Sequence, residues 1–112
     1  MQKKFIKNIE FEKKLKLCDL TDVVAGGIES RTLAQKDKFT MTLFAFDKGE
    51  GISEYVMPGE SMIYVYSGEV EVVIDGSSFP VLKKGELIVV PADTLYSIDA
   101  VVECKLMILI LK

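Results

Sequence analysis

The chain has no histidine. That absence closes off a Ser-His-Asp triad, a Cys-His pair and any His-rich zinc site, and with them much of the usual catalytic repertoire. Long apolar runs are also missing. The longest, Leu106 to Leu111, falls far short of a membrane span, and no apolar stretch follows the N-terminal lysines as a secretory signal requires. The expectation is a soluble, cytoplasmic chain with no membrane partner. Cysteine is scarce: Cys18 and Cys104 stand far apart, outside C-x-x-C or zinc-type spacing, and in an unexported chain they read as reduced, structural thiols. An excess of positive charge is lacking too, since the net charge of −3 leaves no broad basic face for a phosphate backbone. Nucleic acid is not an expected partner.

What is present fits one folded domain. The 112 residues are 49% apolar and 28% charged, enough for a single core and too hydrophobic for disorder. The first twenty residues are locally basic, with Lys3, Lys4, Lys7, Lys13, Lys14 and Lys16 against Glu10, Glu12 and Asp19, so the remainder is more acidic than the total.

From Ile28 onward, short β-rich runs alternate with Gly, Pro and Asp, the spacing of an all-β sandwich or barrel. In Phe39 to Phe46, Phe39, Met41 and Leu43 face one way and Thr40, Thr42 and Phe44 the other, which is strand periodicity. Further runs are Ile28 to Leu33, Ser53 to Met57, Ser61 to Ser67, Val70 to Asp75, Phe79 to Leu82, Glu86 to Val90, Leu95 to Ile98 and Glu103 to Leu111. Asp75-Gly76 is a two-residue hairpin signal, because both central positions of a type I′ turn need positive φ. Gly68 and Gly85 stand where strands reverse. Before Ile28 the pattern is weak, suiting a short strand or one helical turn. The chain therefore divides into residues 1–27, an N-terminal segment expected to exchange in a homodimer, and residues 28–112, a barrel.

Two segments resemble the motifs of the cupin superfamily of small β-barrels. The first motif, G-x5-H-x-H-x3,4-E-x6-G, lies on Gly49 to Gly68, and the second, G-x5-P-x-G-x2-H-x3-N, on Gly85 to Ala100, with every spacing kept. LFAFDKGEGIS, Ser67-Gly68-Glu69 and Lys84-Gly85-Glu86 are similar to the short single-domain cupins of the cupin 2 type in particular. The resemblance covers roughly residues 28 to 111. It implies an all-β, double-stranded β-helix (jelly-roll) barrel.

In metal-binding cupins the two His and the Glu of the first motif and the His of the second hold one divalent ion. The resemblance carries those positions onto Tyr55, Met57, Ser61 and Tyr96, and none is a ligand of that kind. Glu60 falls one residue early, which strand alternation aims at the opposite face. A thioether is a weak ligand for such ions, and a phenol near pKa 10 binds them poorly. No metal and no other cofactor is expected. Two phenols, a thioether and a small hydroxyl would instead line a mostly apolar pocket, so Tyr55, Met57, Ser61 and Tyr96 are the candidate ligand-binding residues.

Two readings stay open. Either this pocket binds a small, partly apolar molecule, or the same side chains fill the interior and the protein is an interaction module. The alternative is a cofactor-independent isomerase or lyase with a pocket tyrosine as general acid; whether the chain is an enzyme is left open and no catalytic residue is assigned. Tyr64 and Tyr66 fall on the face opposite Ser61 and read as packing or interface aromatics. Met41, Met62 and Met107 read as core or interface filling, and Glu54, Glu60 and Glu69 as solvated charges.

Overall fold

The computed structural model describes residues 4–112; Lys3 and the two residues before it lie outside the described residues. Ten strands follow a single 3-10 turn at Leu17–Asp19: β1 (Ile28–Lys36), β2 (Phe39–Phe46), β3 (Gly51–Met57), β4 (Glu60–Ser67), β5 (Glu69–Ile74), β6 (Ser77–Ser78), β7 (Leu82–Lys83), β8 (Leu87–Val90), β9 (Thr94–Ala100) and β10 (Cys104–Leu111). All pair antiparallel, in two sheets of order β1-β2-β10-β4-β8 and β3-β9-β5-β6, with β7 also on β5. No helix of the described residues is long and apolar enough to cross a membrane.

The turns follow local chemistry. Asp75 (φ 48°) and Gly76 (φ 79°) both occupy the left-handed region, and Val73 and Ile74 pair with Ser78 and Ser77 across them. That is the type I′ hairpin that the Asp-Gly pair predicts. Gly68 (φ 78°) is held by conformation and by space: a Cβ there would overlap the Glu103 carbonyl oxygen and sit 2.7 Å from Cys104 Cα.

The run Phe79 to Leu82 does not form the strand that its composition suggests. Two-residue strands stand on either side, and the chain between them makes no continuous ladder. Pro80 has no N–H to donate, so pairing stops there. One bond survives before it, from Phe79 N–H to the Val72 carbonyl (3.1 Å).

Alternation sends side chains to two separate cores. Between the sheets lie Phe46, Ile63, Val65, Val70, Val72, Val90, Tyr96, Ile98, Leu106 and Ile108, all buried. On the outer face of the β1-β2-β10-β4-β8 sheet, Leu33, Leu43 and Tyr66 are buried against Leu20, with Ile9, Leu15 and Leu17 packed beside them. The cover for this second core is the segment before Ile28, lying on its own sheet. It also takes the edge of β1: Lys7 N–H donates to the Leu33 carbonyl (2.7 Å), Asn8 Nδ2 to the Thr32 carbonyl (2.8 Å), and Arg31 Nη1 to the Asn8 carbonyl (3.3 Å).

At its far end the arm is pinned by Lys105, whose Nζ donates to the carbonyls of Cys18 (2.5 Å) and Thr21 (2.6 Å). An ammonium here satisfies carbonyls that the short 3-10 turn leaves over. Asp47 performs the mirrored service at the arm's exit. Its carboxylate accepts from Gly26 N–H (2.6 Å) and Lys48 N–H (2.8 Å), which hold its pKa below the usual value.

Candidate functional site

Tyr55 and Tyr96 are placed by register. They are partners on β3 and β9, one step from Val56↔Leu95, so both rings rise from the same face of their sheet into the interior. Their centroids are 4.8 Å apart at an interplanar angle of 49°. Ser61 arrives from the other sheet, on β4 between Val90 of β8 and Ile110 of β10. Alternation puts it on the same side as Ile63 and Val65, facing inward.

The three hydroxyls form one chain. The Tyr96 hydroxyl donates to Ser61 Oγ (3.0 Å), and Tyr55 and Tyr96 share a bond of 2.5 Å. Because the Tyr96 proton is committed to Ser61, Tyr55 is the donor in the second bond. Tyr96 is 1% exposed and Ser61 fully buried, whereas Tyr55 is half-buried. The chain therefore runs from deep core outward. Burial, chiefly, and the bond to Tyr96 push the Tyr55 pKa well above 10.

Met57, the fourth candidate, lies two residues along β3 from Tyr55 and packs partly buried against the same core, outside the hydrogen-bonded chain. Glu60 is exposed on the face opposite Ser61. Among the described residues no group of three or more Cys, Asp or Glu side chains is arranged to hold a metal ion. The donors at the four motif positions, three neutral hydroxyls and a thioether, do not suit a hard divalent cation either.

A second polar pair escaped the sequence reading. The hydroxyls of Thr21 and Tyr66 are buried and make no hydrogen bond among the described residues. Burial, above all, raises the Tyr66 pKa, with Thr21 beside it acting the other way. Tyr66 was legible as facing away from Ser61, and it does, with its ring 6.4 Å from that of Tyr64. What covers it was not legible, because the aperiodic arm carries no pattern to foretell where it lands.

No family model and no curated protein matches the chain. Solved structures do. A conserved protein of unknown function from Streptococcus pyogenes is 31% identical, with a TM-score of 0.95 over 98% of this chain and 96% of that one. A cupin superfamily protein from Desulfitobacterium hafniense is 27% identical, with a TM-score of 0.90 over 95% of this chain and 96% of that one. A cupin 2 conserved barrel domain protein from Leptotrichia buccalis is 29% identical, with a TM-score of 0.84 over 88% of this chain and 47% of that one. The motif frames, the two five-stranded antiparallel sheets and these similarities agree: the chain belongs to the cupin superfamily.

Proposed function

We propose that this protein is a metal-free cupin barrel with a closed interior, which works as an interaction module through its outer surface. The hydrogen-bonded chain Tyr55–Tyr96–Ser61 carries the reading. Hydroxyls that would orient a ligand are spent on one another, so the interior needs neither an ion nor a small molecule to satisfy them. The same geometry weighs against the tyrosine-acid isomerase or lyase. A general acid works best with a pKa near the operating pH, and Tyr55 is shifted the opposite way.

The second reading, a small, partly apolar ligand at the barrel mouth, is favoured by one observation. Tyr55 and Met57 are only partly buried, so the hydroxyl chain ends close to solvent.

Titration of the labelled protein with phenol and benzyl alcohol, followed by NMR, separates the two. The closed interior predicts no saturable shift at Tyr55, Met57, Ser61 or Tyr96 up to millimolar ligand; a saturable shift at two or more of them overturns it in favour of the pocket. Elemental analysis of untagged protein checks the metal-free part, which about one Mn, Fe, Ni or Zn per chain would refute. Restoring ligands with Tyr55→His, Met57→His, Ser61→Glu and Tyr96→His should create a metal site, because the motif spacing is intact.

A further inference from the structure

Resting on the reading of this protein as an interaction module, we infer that its partner is an extended peptide segment, three apolar residues followed by acidic ones, which adds to the open edge of β8 as an antiparallel strand. Sheet edges are where a barrel can take on another chain, and the other three are blunted. The arm occupies the edge of β1 through Lys7 and Asn8. β3 loses register between Ile52 and Tyr55 and exposes Glu54 there. β6 is two serines long and leads into Pro80. β8, with the sequence Leu-Ile-Val-Val, has no charge, no proline and no register shift against β4.

Backbone direction decides what this edge can bind. The Val65 N–H donates to the Glu86 carbonyl (3.0 Å), so along β8 the backbone groups of Ile88 and Val90 turn towards β4 and those of Leu87 and Val89 turn outward. Among the described residues, the outward N–H and C=O groups of these two have no partner. They stand two residues apart, the repeat at which an antiparallel strand offers its own bonding groups. One peptide strand therefore satisfies both residues.

Side chains define the sequence that fits. Peptide residues opposite Leu87 and Val89 lie beside side chains that are 50% and 49% exposed, and β-branched partners would cover them. The residue between them, opposite Ile88, points to the other face. A groove of about 460 Å³ runs beside the strand, lined by Phe79 to Leu82 on one side and by Glu86, Leu87 and Ile88 on the other. Phe79 in its wall is 39% exposed, which suits an aromatic side chain at that middle position.

Charge gives the direction. Lys83 has Glu69 as its cross-strand partner on β5, and the Glu86 carboxylate is turned back on the Lys83 N–H (2.8 Å). The exposed Lys84, at the entry to β8, makes no ion pair among the described residues. An antiparallel peptide reaches this end with its C-terminal side, so the acidic residues belong after the apolar ones.

NMR of the labelled full chain with acetyl-Thr-Val-Phe-Val-Glu-Glu-amide tests the assignment. Binding should saturate with a dissociation constant below about 1 mM, move the amides of Leu87, Val89 and Phe79, and slow hydrogen exchange at Leu87 and Val89. N-methylation of both peptide valines removes two donors without touching the protein and should raise the constant at least about tenfold. Val89→Pro should act alike with the fold intact, since only an outward N–H is lost. Lys84→Glu should raise the constant about threefold or more, and less at high salt. No saturable shift at the three amides, or an affinity indifferent to N-methylation, would overturn the strand site. Protection of Leu87 and Val89 that grows with protein concentration in the absence of peptide would overturn it too, by giving the edge to a second copy. Shifts at Tyr55, Met57, Ser61 and Tyr96 instead would refute the closed interior as well, whereas a silent edge together with a silent phenol titration removes this partner alone.

Discussion

Removing one oxygen, by Tyr96→Phe, tests whether the barrel interior is closed. The ring keeps its packing, since Tyr96 is 1% exposed among Ile63, Val90 and Ile98. What goes is the central link of the hydroxyl chain, and with it two hydrogen bonds. Each is worth a net of about 0.5 to 1.5 kcal/mol. The two former partners then fare differently. Tyr55 is half-buried and can turn its hydroxyl to water, whereas Ser61 is fully buried and has no other hydrogen-bond partner among the described residues. Leaving that oxygen unpaired costs about 1 to 3 kcal/mol. In a closed interior the total is therefore about 2 to 6 kcal/mol, or a melting temperature lower by roughly 10 °C or more in a domain of this size. Urea unfolding at constant m-value measures it, and a double-mutant cycle with Ser61→Ala isolates the coupling, expected at about 1 to 2 kcal/mol. A cost below about 0.5 kcal/mol would mean that water already reaches Ser61, and the argument for a closed interior would fail.

Gly68→Ala should be among the most damaging single-methyl changes, costing more than about 3 kcal/mol, because positive φ and backbone collision act together; a melting temperature within a few degrees of wild type would contradict the turn geometry. Thiol titration with a disulfide reagent should find Cys18, which is exposed, reacting at once, and Cys104, which is buried, reacting only with unfolding; two equally fast thiols would refute this burial pattern. The alkaline limit of stability follows from the same residues. Burial pushes the Cys104 thiol up from 9.0 to about 11 and Tyr55 further, so the unfolded chain ionises first. Stability from Cys104 is complete below pH 9 and is lost as pH rises towards 11, with Tyr55 adding to the loss above pH 10. Cys104→Ala should flatten the curve between pH 9 and 11, and an unchanged slope would show that the thiol is not desolvated in the fold.

Sequence patterning reached as far as local physics does. The Asp75-Gly76 hairpin, the constraint at Gly68 and the alternation in β2 and β4 were legible because each depends on residues within one turn or one strand. The missing strand at Phe79 to Leu82 marks where β-propensity yielded to a single absent N–H at Pro80. The arm was beyond reach for a different reason. Its apolar residues Ile9, Leu15, Leu17 and Leu20 follow neither period 2 nor period 3.6, since they are ordered by the sheet that they cover and not by their own backbone. The second core is thus a tertiary fact, and so is the burial of Tyr66 and Thr21 within it.

At the candidate site, motif spacing pointed to Tyr55, Ser61 and Tyr96, whose hydroxyls the fold links by hydrogen bonds, while lining and filling differ in contacts that spacing does not describe. That distinction turns on a few tenths of an ångström between oxygens. With ion ligands at these positions, like donors converge and need a cation between them. With hydroxyls, each group can donate or accept, so convergence alone gives each of them a hydrogen-bond partner. On the proposed closed-interior reading, phenols and a serine in place of imidazoles and a carboxylate remove the need for an ion among these side chains.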